Sequence, residues 1–194
     1  MSISPSGVTQ DSGGKPNHHD PDALGSVHVQ LSWPKRVQSE RVAKMICLLA
    51  EYYYSSRKSL SMKGIKGAPD WFGYESALSQ LSEHVRAHLE ARRNLRGQSP
   101  VLDAVATVVS DSRFGKGRQN FVLLLGEFGA TNYAQAIGHA LSDRELAGHA
   151  VKAALRARIP GLEHAISKVA AETTQSWVKS ACVRYLAKRL SDAT

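Results

Sequence analysis

Through the second half of the chain, apolar residues recur at three- and four-residue steps, in short blocks divided by polar breaks. Leu162, Ala165, Ile166, Val169 and Ala170 fall at i, i+3, i+4, i+7 and i+8, which places them on one stripe of a helix. After Thr173, Thr174 and Gln175 the same spacing returns in Val178, Ala181, Cys182, Tyr185 and Leu186. The block before it is built alike. Tyr133, Ala136, Ile137, Ala140 and Leu141 make one stripe, and Ala147, Ala150, Val151, Ala154 and Leu155 make the next. Ser142 and Asp143 break the two helices, with Glu145 at capping-box distance from Ser142. Ala150-Val151 with Ala154-Leu155 aligns on Ala181-Cys182 with Tyr185-Leu186 at an offset of 31 residues.

A weaker copy precedes both. The pattern predicts a helix over 101–109, opened by Ser99 and Pro100, because proline suits the first helical position. A second helix is predicted over 119–128. Phe121, Leu124, Leu125 and Phe128 keep the spacing while Val122 and Leu123 fill other faces. A helix apolar on most sides is a buried one, so this helix is expected at the centre of the fold. Self-similarity at about thirty residues is the mark of a stacked helical array, in which each unit buries its face against its neighbours.

Two segments carry a family likeness. Leu124-Leu125-Gly126-Glu127-Phe128-Gly129 closes one unit, and Ala140-Leu141-Ser142-Asp143-Arg144-Glu145 joins the helices of the next. An aliphatic pair followed by glycine, and a leucine followed by an aspartate turn, resemble HEAT-like helical repeats. The resemblance covers residues 99–190. It implies a stacked, curved scaffold for proteins or nucleic acids, and it brings no catalytic residues with it. A generic helical bundle is the alternative architecture.

The front half is less regular. A long helix is expected from Trp33-Pro34 to about Ser59, with Val42, Met45, Ile46, Leu49, Tyr52 and Tyr53 on its buried stripe. A loop over 61–73 follows, rich in glycine and carrying Trp71 and Phe72. A helix from about Tyr74 to Arg93 comes next, with Leu78, Leu81, Val85 and Leu89 facing the core. The expected fold is all-α, with stacked antiparallel helix pairs of α-solenoid or bundle type. Residues 1–30 read as a disordered tail, poor in apolar residues and unlike a signal peptide. Residues 31–194 read as one helical domain, with front helices and loop over 31–98 and the repeats over 99–190.

Charge adds a partner class. The net charge is +8. Residues 1–30 carry −2, 31–70 carry +5, 71–100 carry +1, 101–150 carry −1 and 151–194 carry +5. Such basic clusters attract polyanions, with nucleic acid or a nucleoprotein assembly ahead of an acidic protein. The expected phosphate-neutralising residues are Arg92, Arg93, Arg96, Arg113, Lys116 and Arg118, grouped around one end of the repeats. Lys152, Arg156, Arg184 and Lys188 extend that surface, and Lys63 and Lys66 reach over it from the loop. The glycine turn Phe114-Gly115-Lys116-Gly117-Arg118 is a candidate anion site, since it feeds a helix N-terminus. The alternative is an adaptor or inhibitor that grips an acidic partner protein through its helical face, with Trp71 and Phe72 as anchors.

The search for catalytic chemistry ends without a motif. Glycine elbow, dinucleotide fingerprint and paired-cysteine spacing are all missing. Cys47 and Cys182 sit on apolar stripes as small hydrophobes, which fits a reducing cytosol. His84 and His88 stand one helical turn apart, at a spacing a metal can use, but no third ligand is identifiable and a solvated helix edge is expected instead. No apolar run reaches the roughly 18 residues that span a bilayer. The expectation is a cytoplasmic, non-enzymatic binding module without cofactor or metal and without a membrane partner.

Overall fold

Ser99 opens its helix as the sequence predicts: its hydroxyl accepts the Leu102 N–H at 3.3 Å, and Pro100 takes the first turn. The computed structural model describes residues 38–59 and 72–191, with the backbone alone of Phe72 and Arg93. Within that range the α-helices are α1 (Ser39–Ser55), α2 (Phe72–Glu90), α3 (Pro100–Ser110) and α4 (Gln119–Leu124). They continue with α5 (Ala134–Ala140), α6 (Ala147–Ala157), α7 (Glu163–Glu172) and α8 (Ser176–Ser191). No strand occurs among the described residues. The tail expected over 1–30 lies outside them.

Consecutive helices pack as pairs: α1 on α2, α3 on α4, α5 on α6, α7 on α8. The short links of the later pairs make their helices antiparallel neighbours. The pairs then stack. Among the even helices, α2 packs on α4, α4 on α6 and α6 on α8. Among the odd helices, α1 packs on α3 and α3 on α5. The stack therefore holds four pairs. The repeat in the sequence covers only the last three.

The predicted core is where the stripes put it. Leu78, Leu81, Val85 and Leu89 of α2 are buried, as are Ala150, Val151 and Ala154 of α6 and Val178, Ala181, Cys182 and Tyr185 of α8. The helix from Gln119 lies at the centre, with Phe121, Val122, Leu124, Leu125 and Phe128 all buried. Full burial of each such side chain stabilises the fold by about 1.5–3 kcal/mol.

Three local expectations need correction. On α1 the buried residues are Val42, Ile46, Ala50 and Tyr53, whereas Met45 and Tyr52 are 45% and 59% exposed. The inward stripe is therefore narrower than the apolar pattern, and Met45, Leu48 and Tyr52 lie outside it. The central helix leaves α-geometry at Leu125 and runs as a π-helix to Gly129. The break after α5 is capped by Asp143 and not by a Ser142 box: the Asp143 carboxylate accepts the Glu145 N–H at 2.9 Å, and its carbonyl accepts from Leu146 and Ala147.

The π-segment meets α6 at backbone distance. A Cβ placed on Gly126 would lie 2.5 Å from the Ala153 Cα and 2.6 Å from its carbonyl oxygen. Backbone cannot swing aside as a side chain can. Gly126→Ala is expected to destabilise the protein by about 1–3 kcal/mol through overpacking, despite alanine's better helix propensity. Chemical denaturation measures the loss; an unchanged midpoint would mean that α4 and α6 slide apart freely.

Candidate functional site

The expected basic cluster divides when the chain folds. Arg118 does not face solvent. It is 3% exposed, and its guanidinium is fully engaged. Nε donates to the Gly115 carbonyl at 2.9 Å and Nη1 to the Val109 carbonyl at 3.1 Å, while Nη2 pairs with Asp143 at 2.7 Å. Glu145 stands 3.7 Å from the same nitrogen. Arg118 thus ties the end of α3, the turn over 112–118 and the loop before α6. It is a structural arginine and has no surface to offer a phosphate.

The glycine turn is also already filled. The Lys116 N–H, which had read as a donor for a bound anion, donates to the Glu75 carboxylate of α2 at 2.7 Å. A Cβ on Gly115 would strike that carboxylate, and one on Gly117 would stand 2.8 Å from Leu78. Glycine is needed here so that α2 can approach the turn. Burial pushes the Glu75 carboxyl above its usual range, and the Lys116 N–H pulls part of the way back. With its folded pKa raised, Glu75 binds a proton more readily in the native state than in the unfolded chain. Its contribution to stability is therefore most favourable below the unfolded pKa and declines as pH rises through the folded one. Glu75→Gln keeps an oxygen for Lys116 and removes the ionisation. We expect it to melt at or above the wild-type temperature at pH 7, with the difference shrinking towards pH 4. Glu75→Ala, which removes the acceptor, should lose about 1 kcal/mol or more.

Arg113 is half exposed but electrically committed. Its guanidinium pairs with Asp111 at 2.6 Å and with Glu51 of α1 at 2.9 Å. Those carboxylates hold it still more firmly charged, Asp111 most, and the arginine in turn depresses the Asp111 carboxyl. Tyr54 and Phe114 flank it, with ring centroids at 5.1 and 5.5 Å. Lys116 is exposed beside it.

Arg92 and Arg96 stand elsewhere. Arg113 and Lys116 lie against the start of α2, through Tyr74 and Glu75. Arg92, half-buried with Nη1 2.9 Å from His88 Nδ1, and Arg96, exposed over the Phe128 ring, follow the end of α2. The length of α2, about 28 Å at 1.5 Å per residue, separates the two groups. They do not form one cluster at one end of the repeats. The Arg93 side chain, Lys63, Lys66, Trp71 and the Phe72 side chain lie outside the described residues.

The second expected group lies on two helices that pack together, α6 and α8. Trp177 at the start of α8 lies against Gly148 and Lys152 of α6, and the Tyr185 hydroxyl farther along α8 donates to the Ile159 carbonyl beyond the end of α6. The two helices therefore run parallel. Lys152 and Arg156, four residues apart, share the outward row of α6. On α8, Trp177, Arg184 and Lys188 fall within about 40° of one another around the helix, at roughly 100° per residue. Because Trp177 touches Lys152, this row flanks α6. From the sequence alone, the basic rows of the two repeats differ by about 100° and do not superpose; the Trp177–Lys152 contact places the start of the α8 row next to α6.

The same face continues to α4 and α2. Glu127 of the π-segment is held between Arg86 of α2 and Arg156 of α6, the latter at 2.8 Å. Arg86 also pairs with Glu83 at 3.4 Å, so the two guanidinium groups meet two carboxylates, and the positive charge left over is that of Lys152. A groove of about 410 Å³ runs here, lined by Arg86, Lys152, Arg156, Glu127 and the half-buried Leu123. Arg86 and Trp177 were not singled out as ligand residues from the sequence. Arg86 sits in a helix of mixed charge, and Trp177 reads as an ordinary helix-start aromatic.

Beyond Trp177 lies a second, larger recess of about 590 Å³. It opens between the loop after α5, the start of α6, α7 and the turn into α8. Trp177 is 37% exposed on its rim. The His149 ring meets the indole edge-on at 5.5 Å, and Lys152 Nζ stands 4.3 Å from the indole centroid. Burial and the nearby Lys152 ammonium hold the His149 imidazole below its usual pKa, so it is neutral near pH 7.

His84 is half-buried with Nδ1 2.8 Å from the Gln80 carbonyl, while His88 is buried in place of the solvated edge expected for it. Among the described residues, no three of His, Cys, Asp or Glu converge as a metal site would require. Burial raises both thiols, Cys47 and Cys182. Among the described residues, no helix is long and apolar enough to cross a membrane. Compared with family models, curated proteins and solved structures, the chain finds no match.

Proposed function

We propose that this protein is a non-enzymatic scaffold of HEAT-like character that binds a nucleic-acid backbone, on its own or within a nucleoprotein assembly, across the outward face of α6 and α8. The observation that carries this reading is that Lys152 and Arg156 lie on the outward row of α6 while Trp177, set against Lys152, heads the row of Arg184 and Lys188 on the parallel helix α8. Helices packed in this way are about 8–10 Å apart, which lets two rows of long cations reach successive phosphates. Arg86 extends the row across the groove. Arg118 takes no part because it is buried, and Arg113 because two carboxylates hold it, whereas Arg156 shares a single carboxylate with Arg86.

Salt titration of fluorescence anisotropy tests the proposal, with labelled single-stranded and duplex oligonucleotides. Four phosphate contacts predict a log–log slope near −3 for a single strand, so affinity should fall on the order of fiftyfold between 50 and 200 mM salt. Absence of binding at 50 mM salt would remove the reading.

The adaptor reading keeps one observation of its own. Met45, Leu48 and Tyr52 form an exposed apolar stripe on α1. A partner protein held there would stay bound in high salt, where a nucleic acid would leave.

A further inference from the structure

Resting on the proposed backbone-binding face, we infer that the ligand is single-stranded, and that the recess beyond Trp177 receives an unpaired base while the groove holds the phosphates. Groove and recess meet at one pair of side chains: Lys152 lines the groove, Trp177 lines the recess, and the two are in contact. A strand whose phosphates follow Lys152 and Arg156 has its bases within reach of the indole.

The charges of the two hollows differ in kind. The groove sets Arg86, Lys152 and Arg156 against Glu127, with Glu83 pairing Arg86 from beside it, so one positive charge, that of Lys152, is in excess. The recess sets Arg144 and Lys168 against Glu145 and Glu172, and Lys168 and Glu172 stand 3.9 Å apart. A balanced, polar recess attracts no phosphate. It suits a neutral, flat group with hydrogen-bonding edges, which is what a nucleobase is. Its volume of about 590 Å³ lies in the ordinary range for small-molecule sites, about 300–1,000 Å³.

The indole is held ready for stacking. Gly148 lets it settle on α6: a Cβ there would lie 2.5 Å from the ring. His149 braces the indole edge-on. An aromatic that is fixed in place yet 37% exposed at the mouth of a recess is a stacking platform, and stacking tolerates any base. A base in a duplex is already paired and stacked, and gains nothing there.

The test uses the full chain with three probes of equal length: a single strand, a duplex, and an abasic strand that keeps the phosphates and lacks the bases. The intact single strand should bind about tenfold or more tighter than the abasic one, in line with the stacking contribution of one base. Trp177→Ala should remove that advantage, bringing the intact strand down to the abasic one, with a smaller effect on abasic and duplex affinities through the lost Lys152 contact, while Trp177→Phe should retain part of it. Thermal melting of both variants checks that the fold survives, and the Phe variant decides the matter if the Ala variant does not fold. Equal binding of abasic and intact strands, unmoved by Trp177→Phe, would overturn the base-recess inference and leave backbone binding standing. Failure of all three probes to bind at low salt would overturn the backbone reading, and this inference with it.

Discussion

Arg118→Met should lower the stability of this protein by about 3 kcal/mol and its melting temperature by roughly 6–12 °C, making it the most damaging single change at any of the basic residues. The side chain is 3% exposed and makes contacts to two backbone carbonyls and the Asp143 carboxylate. Methionine fills much of the volume but supplies no donor. The Gly115 and Val109 carbonyls would lose their hydrogen bonds, and Asp143 would lose its counter-charge. We place the loss at the low end for a broken buried pair, because Asp143 and Glu145 are close enough to the surface to rehydrate. Arg118→Lys keeps the charge and loses the planar fork, so it should recover only part of the stability. A cycle with Asp143→Asn separates the ion pair from the carbonyl contacts. Melting of Arg118→Met within a degree or two of wild type would show that the three segments it joins are held by packing alone.

What was legible in the sequence follows from what a helical period can encode. The stripes of α6, α7 and α8 were readable because alanine and valine recur at fixed steps, and Ala150 and Ala181 do occupy equivalent buried places. The central helix was readable because too many of its faces are apolar. The first pair escaped because no 31-residue offset links α1 to α3, although α1 packs on α3 as α3 packs on α5. A period tells which residues share a face of one helix. It does not tell which residue of another helix they meet. Glu75 reaches Lys116 over 41 positions and Arg86 reaches Glu127 over 41, and neither pairing leaves a local trace. For the same reason charge counting put Arg113 and Arg118 at a surface where their carboxylates have already neutralised them. Sequence proximity also joined Arg92 and Arg113, which α2 holds at opposite ends. The rows on α6 and α8 show the same limit, since a mismatch of about 100° between repeats does not tell which side of α8 lies next to α6. The one available signal for the recess was Gly148, a glycine inside an otherwise alanine-rich helix, which marks a place where something large comes close.

The second large effect belongs to that paired row. Lys152→Glu with Arg184→Glu should weaken single-strand binding at about 0.1 M salt by at least on the order of 25-fold and flatten the salt slope by about 1.4, with little change in melting temperature. Each lost phosphate contact removes about 0.7 from the slope, which near 0.1 M salt is a factor of about five in affinity. Two lost contacts multiply, and two new carboxylates repel the strand further. Both residues are exposed, so the fold has no stake in their charge beyond the Lys152 contact with Trp177. The informative comparison is Arg113→Glu. It reverses as much charge per residue, yet Asp111 and Glu51 already offset that guanidinium, so binding should change less than about threefold while stability falls. Equal losses from the two ends would mean that affinity tracks net charge and not this face. A loss confined to Lys152 and Arg184 would assign the phosphates to α6 and α8, where both side chains are exposed to solvent.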